Sequence, residues 1–417
     1  MADREASMSI PPASRPWLRT FAALRHRNYR LFFVGQLISL CGTWMQGVAQ
    51  PWFVYEMTQS KLKLAIVSVV SSLPVLALSF LSGVAADRYP KRTILFFTQA
   101  CLMTSALLFW ALIVTGHISY PLICALALLS GTAMAFDIPV RQSFVIEMVG
   151  KEDLMNAITL NSSMFNLSRV IGPSIAGVVI TSVGIANCFL LNGLSFIAVI
   201  VAIYMMNVPA RVANGLSDSL WENIRAGIEY ARRQPVIRTT LILSVFASAF
   251  GASYMVLLPV FAKDVFHAGP RAQAFLMAAS GGGAVVGALG LASLGDVRRK
   301  GILLLCGAVV FAVAIGTFGC SQWMAMSLVC LVIAGASMTT YRSLCNTLCQ
   351  TTVPDDMRGR VMALFTLAFA GVSPVGNFQA GLVAQYISVH VAVVLGAAIV
   401  GLSALIVLLT VPEMRKA

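Results

Sequence analysis

Twelve runs of mainly apolar residues recur along this chain, near 31–55, 64–86, 93–115, 119–138, 157–183, 187–207, 239–262, 273–295, 301–319, 323–341, 361–386 and 390–411. Each approaches the ~20 residues that a helix needs to cross a bilayer. That recurrence predicts an all-α, multi-pass membrane protein with little mass outside the lipid. Composition agrees: 58% of the residues are hydrophobic and 11% charged, whereas a soluble chain is about 45–50% apolar and about 25% charged. The span count excludes a seven-span receptor.

The formal charge of +13 would fit a nucleic-acid partner, but the basic residues follow the spans. With the N-terminus in the cytoplasm, 24 of the 29 Lys and Arg residues fall in segments on that side. Lys61, Lys63, Lys263 and Arg271 fall outside, and Arg169 lies within a span. Basic residues collect in cytoplasmic loops. The bias therefore predicts a cell-membrane protein with both termini cytoplasmic, and it accounts for the charge without nucleic acid. The N-terminal segment lacks the apolar core and small-residue cleavage site of a signal peptide. It reads as a basic tail.

The spans fall into two halves. Residues 1–30 form the tail, 31–207 an N-terminal six-helix bundle, 208–238 a polar cytoplasmic loop, 239–411 a C-terminal six-helix bundle, and 412–417 a short cytoplasmic end. Within the central loop, Trp221, Ile224 and Ile228 have helical spacing and predict a helix on the membrane surface. At an offset of 204, "VGKEDLMNA" (149–157) falls on "VPDDMRGRV" (353–361), Gly172 on Gly376, and Gly177 on Gly381. Six plus six spans in parallel repeat, with a site at the repeat interface, is a transporter architecture.

Other chemistries find little support. The nine cysteines and four histidines are dispersed, so neither a metal site nor a cofactor is expected. "GGGAVVG" (281–287) approaches a dinucleotide fingerprint but lies inside an apolar span with no strand before it. Gly283 and Gly287 are better read as close helix packing. No G-x-x-x-x-G-K-[ST] loop is present to use ATP. A membrane enzyme would need a catalytic pair, and none stands out.

Charge is concentrated in "GVAADRYPKRT" (83–93). Orientation explains Arg88, Lys91 and Arg92 but not Asp87, nor Gly83 one turn earlier, where a glycine would allow close helix approach. Gly83-x-x-x-Asp87-Arg88-x-x-Lys91-Arg92 resembles the motif between the second and third spans of the major facilitator superfamily. "DVRRK" (296–300), with Asp296, is a degenerate echo in the second half. "DIPVRQSFVIEMV" (137–149), "RVIGPSIAG" (169–177) and "QTTVPDDMRGRV" (350–361) resemble the drug:proton antiporter branch that contains enterobactin exporters and macrolide efflux proteins. The fifth-span match is degenerate, with Ser168 and Ala176 where glycines are expected.

The resemblance implies a major facilitator fold and a cytoplasmic gate. Asp87 would dock near Arg360 in the outward-open state, and Arg88 or Arg92 would pair with Asp137 at the end of the fourth span. Asp137 and Arg141 could also pair at i,i+4 if the helix continues past Pro139. Whether Asp137 is a structural partner or a proton carrier stays open at this stage.

Arg169 lies about 21 Å into the fifth span, counted from a start near residue 155 at ~1.5 Å per residue. A central arginine costs at least about 2.5–3.5 kcal/mol on insertion scales, so it should face protein or a watery cavity. It is either a structural clamp satisfied by polar groups or a positive charge offered to an anionic substrate. In the first span, Thr43, Gln46 and Gln50 share a face. With Gln36, Trp44 and Trp52 they make that helix a candidate for lining a cavity. Asn161, Tyr254 and Asn377 are further candidates for contacting substrate, with Asn166, Asn192, Tyr341 and Gln379 behind them.

Together these features predict a non-enzymatic secondary transporter, monomeric in the bilayer. It would export a small siderophore- or drug-like molecule, anionic or amphipathic, with protons as coupling ion. The alternative is an importer or uncoupled facilitator of the same fold.

Overall fold

A computed structural model of the protein describes residues 21–207, 220–295 and 297–416. The side chain of Asp87 and the whole of Asp296 lie outside the described residues, as does most of the basic tail. Twelve helices are long and apolar enough to cross a membrane. In the first half they are α1 (Arg27–Thr58), α2 (Lys61–Arg88), α3 (Lys91–Val114), α4 (Tyr120–Val149), α5 (Leu154–Val183) and α6 (Ala186–Met205). In the second they are α7 (Pro235–Val265), α8 (Pro270–Ser293), α9 (Lys300–Cys320), α10 (Met324–Thr351), α11 (Met357–Tyr386) and α12 (Val389–Thr410). We call the side where α1 starts and α12 ends the terminal face, and the opposite side the far face.

Local chemistry sets many helix ends. Proline opens α7 and α8 and sits in the first turn of α4, where its missing N–H costs nothing. Gly150 and Gly184, both at positive φ, end α4 and α5. The Ser60 hydroxyl caps α2 by accepting from the Lys63 N–H at 3.2 Å. The helix predicted in the central loop forms at Leu220–Arg233. Its Gly227 packs on the Arg360 carbonyl and on Leu364 of α11, and Ile228 is exposed.

Two helices run past the expected span ends. α4 continues through Pro139 to Val149, and α10 continues past residue 341 to Thr351. At ~1.5 Å per residue, Asp137 is about 18 Å from the end of α4 and Arg342 about 14 Å from the end of α10. Asp137 was expected at the membrane surface and Arg342 in a loop. Both stand inside spans instead.

The small residues show how the sequence repeat becomes a packing repeat. A Cβ on Gly172 of α5 would strike Trp44 and the Cys41 carbonyl of α1, and one on Gly376 of α11 would strike the Ala249 carbonyl of α7. Gly131 of α4 lies on the Ser71 carbonyl of α2, as Gly335 of α10 lies on the Ser280 carbonyl of α8. In both halves, then, the fifth helix approaches the first and the fourth approaches the second. Between halves, Gly177 of α5 meets Ala274 of α8, and Gly381 of α11 meets Ala65 of α2. Gly283 and Gly287 meet the Val332 and Ala336 carbonyls of α10, the close packing expected of them. Lipid tails are as apolar as leucine, so helices associate here through such close contact rather than through exclusion of water.

α7 and α11 are not uniform helices. α7 passes through π-helix at Ala247–Gly251 and 3₁₀-helix at Ala252–Leu257, and α11 through π-helix at Leu367–Gly371. Wide turns of this kind release backbone carbonyls and concentrate at functional sites. Here the Ser248 hydroxyl of one π segment donates to the Phe369 carbonyl of the other, so the two irregular stretches hold each other.

The glycine contacts predict a contrast between neighbouring positions. Gly283→Val places a side chain on the Val332 carbonyl and should cost about 1–3 kcal/mol as overpacking. It should lower the thermal midpoint or the yield of folded protein. Gly282→Ala points into open space and should leave both unchanged. Equal midpoints for the two variants would refute the packing role.

Candidate functional site

The halves meet most tightly between the membrane middle and the far face. At the far face, Tyr55 Oη of α1 donates to Asp264 Oδ2 of α7 at 2.5 Å. Gln385 Oε1 of α11 accepts from the Lys61 N–H at 2.9 Å, at the start of α2. Deeper, Gln273 Nε2 of α8 donates to the Val48 carbonyl of α1 at 3.2 Å, and Asn377 Nδ2 of α11 donates to Ser68 Oγ of α2 at 2.9 Å. Toward the terminal face, Gly83 is exposed and a Cβ there would meet nothing within 4 Å. The close helix approach expected at Gly83 is not made in this arrangement. Among the described residues, the hydrogen bonds between the halves run from the membrane middle to the far face.

Arg169 stands at the seam, midway along α5. Its Nη2 donates to Ser280 Oγ of α8 at 3.1 Å, and its guanidinium lies over the Trp44 ring at 5.8 Å. Ser280 Oγ also bonds to Tyr254 Oη of α7 at 3.0 Å. Phe165 meets Trp44 edge-on at 5.5 Å. α8 comes this close because Gly281 has no side chain: a Cβ would lie 2.8 Å from the Arg169 carbonyl oxygen. Arg169 Nε is buried without a partner. A buried donor left unpaired costs about 1–3 kcal/mol, so the guanidinium is held but not satisfied.

A second arginine stands within a span of the other half. Arg342 of α10 lies over the Phe369 ring at 4.7 Å and is solvent-accessible. It feels the charge of Arg169. Among the described residues neither arginine has a carboxylate within ion-pair distance. The apolar window ended at Tyr341, so sequence reading counted Arg342 as a loop residue. The helical period was the better signal: Tyr341, Leu344, Cys345, Leu348 and Cys349 are all buried on one face, which carries the helix on past Arg342.

The other sequence candidates are scattered. Trp44, Arg169 and Tyr254 come together around Ser280. Thr43 donates to the Ser39 carbonyl of its own helix. Gln46 bonds to Asn192 of α6 at 2.6 Å and to Gln50 at 3.3 Å, so that polar face is satisfied within the first half. Asn161 accepts from Tyr29 Oη at 3.1 Å. Asn377 belongs to the seam rather than to the space around the arginines.

The terminal-face charges are also arranged differently from expectation. Lys91 pairs with Glu147 at 2.7 Å, and Arg92 Nη2 donates to the Tyr204 carbonyl at 2.7 Å. Arg88 is exposed. Asp137 does not take Arg88 or Arg92. Because α4 continues for twelve residues beyond Asp137, the acid near its surface end is Glu147. Asp137 is instead buried, accepting from Thr98 Oγ1 at 3.0 Å and Gln99 Nε2 at 2.7 Å, with Arg141 Nε at 3.4 Å. Arg141 Nη1 donates in turn to Gln36 Oε1 at 3.2 Å. Arg360 lies at the terminal-face end of α11, with Nη1 3.4 Å from Met357 Sδ. The docking expected between Asp87 and Arg360 involves a side chain outside the described residues. Among the described residues no group of His, Cys, Asp and Glu is placed to hold a metal.

Two equivalent six-helix bundles enclosing a charged seam that is closed at one end define a membrane transporter of the major facilitator fold. The profile of one of its families, the transmembrane secretion effectors, matches residues 18–417, and the chain belongs to that family. It is 26% identical over 373 residues to the multidrug efflux pump Tap of Mycolicibacterium fortuitum, covering 86% of this chain and 90% of that protein. It is likewise 26% identical over 355 residues to the enterobactin exporter EntS of Shigella flexneri, covering 84% and 83%. Among solved structures, a D-xylose–proton symporter superposes with a TM-score of 0.72 at 13% identity, covering 93% of this chain and 99% of that one.

The far-face contacts predict a shift in conformation. Tyr55→Phe removes a hydrogen bond to a charged acceptor, worth about 1.5–3 kcal/mol. Spin labels placed at Gln59 and His267 should then show a longer, broader distance distribution. An unchanged narrow distribution would mean that this bond does not hold the far face shut.

Proposed function

We propose that this protein is a secondary active exporter of small organic anions, siderophore- or drug-like, working by alternating access and coupled to proton entry. The observation that carries the reading is the pair Arg169 and Arg342. One comes from each half, each rests on an aromatic ring, and neither has a carboxylate partner among the described residues. A guanidinium inside a span is expensive and marks a substrate path by default. Two that repel each other are stabilised by a ligand bearing negative charge. An inward-directed cation would gain nothing from them.

Further support comes from the relatives, which are named for efflux of drugs and export of enterobactin. Proton coupling is inferred from the resemblance to the antiporter branch. The basic bias of the terminal-face segments supports cytoplasmic termini in a bacterial inner membrane. The arrangement described above would then be the cytoplasm-open state, ready to load substrate for export.

Transport into inverted membrane vesicles, with a panel of anionic, neutral and cationic compounds including enterobactin, tests this reading. Anionic compounds should accumulate in vesicles energised with a proton gradient, and an uncoupler should abolish the accumulation. Each lost charge-assisted hydrogen bond is worth about 1.5–3 kcal/mol, so Arg169→Ala and Arg342→Ala should each lower anion transport roughly ten- to a hundredfold. Undiminished transport by both variants at matched expression would overturn the anion site. Accumulation indifferent to uncouplers would favour a facilitator.

A further inference from the structure

We propose that Asp137 is the residue that takes up the coupling proton, at a site formed by α1, α3 and α4 within the first half. The inference rests on the proton-coupled reading above and names the group that would perform it. Four observations support it.

The first is position. Among the carboxylates whose side chains the structure describes, Asp137 alone is buried deep within a span, 1% exposed. Glu56 and Asp264 are at the far face, and Glu147 is paired to Lys91 near the surface. An ionisable residue at this depth is costly, and such residues mark proton relays.

The second is the make-up of the shell. Oδ1 accepts from Gln99 at 2.7 Å and lies 3.0 Å from the Thr98 hydroxyl, whose one proton it shares with the Leu95 carbonyl. Oδ2 has only Arg141, at 3.4 Å. That is long for a charge-assisted bond, which is usually about 2.7–2.9 Å. One oxygen is therefore fixed while the other can accept a proton. α1 presents Gln36 and α3 presents Thr98 and Gln99. α2, which runs along α4, has only apolar residues and serine at 75–82. Among the described residues Arg141 is the one charged side chain within 4.0 Å of the carboxyl.

The third is what remains unpaired. Gln36 Nε2 and Gln99 Oε1, a donor and an acceptor, are both buried without partners. Each costs about 1–3 kcal/mol. A water bonded to both would be offered the donor and the acceptor that a proton path past Asp137 needs.

The fourth is consequence. Arg141 holds Asp137 on its own helix and Gln36 on α1. When water gives one proton to Oδ2, the cluster passes from neutral to a charge of +1 and Asp137 stops holding Arg141 as an ion. The link from α4 to α1 then loosens inside the half that must rock.

The test needs no substrate. Purified full-length protein in liposomes is titrated with acid while the infrared band of protonated carboxyl groups is followed. The chain has 16 Asp and Glu residues, all of which protonate in acid, so the readout is the parent-minus-variant difference: one component of the growing band should be missing from Asp137→Asn and present in Asp137→Glu. Arg141→Gln removes the charge that favours the carboxylate. It should shift the midpoint of the Asp137 component upward. Circular dichroism identifies any variant that has not folded, and the parent, Asp137→Glu and Arg141→Gln still decide the matter. An acid-induced band in folded Asp137→Asn identical to the parent's, or an unmoved midpoint of the Asp137 component in folded Arg141→Gln, would overturn the assignment. Failure of proton coupling itself reads out separately, as transport by the parent protein that ignores a pH gradient.

Discussion

A guanidinium in the middle of a spanning helix cannot face lipid cheaply, and Arg169 therefore dictates how α5 is turned. Its charge must point to protein or water, which brings α5 against α8 and sets Ser280, Tyr254 and Trp44 around it. The approach is possible only because Gly281 leaves room for the Arg169 backbone. The site and the interface between the halves thus depend on the same few atoms. A charge that is expensive to bury is placed where burial is incomplete and a ligand can complete it.

Glycine contacts carry the rest of the architecture. They repeat between halves at equivalent positions, Gly172 with Gly376 and Gly131 with Gly335, and so give both bundles the same helix order. Gly177 and Gly381 then use the same device across the seam. Hydrogen bonds between the halves add to these contacts on the far-face side, where Tyr55, Asp264 and Gln385 lie. Small-residue contacts suit a rocking carrier because they can part without exposing large apolar side chains.

Much of this was legible in the sequence. Apolar run length located the spans, and the 204-residue offset located the repeat. Arg169 was conspicuous as a charge far from any polar stretch. Other features escaped for identifiable reasons. Hydropathy windows stop where polar residues thicken, so Asp137 was placed at a surface and Arg342 in a loop, although buried residues continue at helical spacing beyond both. Pro139 left open whether the helix continues, and α4 passes through it. The polar face of α1 looked like cavity lining, but its amides bond to Asn192 and to each other. Nothing in the local sequence marks the π segments of α7 and α11.

The sequence by itself determined what the solvent of each segment must be. Twelve apolar runs require lipid, and the period of their small residues requires close helix pairs, because these follow from composition and spacing along one chain. Tertiary structure alone decided which charges meet. The charge of Arg169 reaches Arg342 from 173 positions away in sequence, and Asp137 takes Gln99 of α3 rather than Arg92. Partners of a buried charge are chosen by helix rotation and depth. These arise from packing both halves together, and no single helix carries that information.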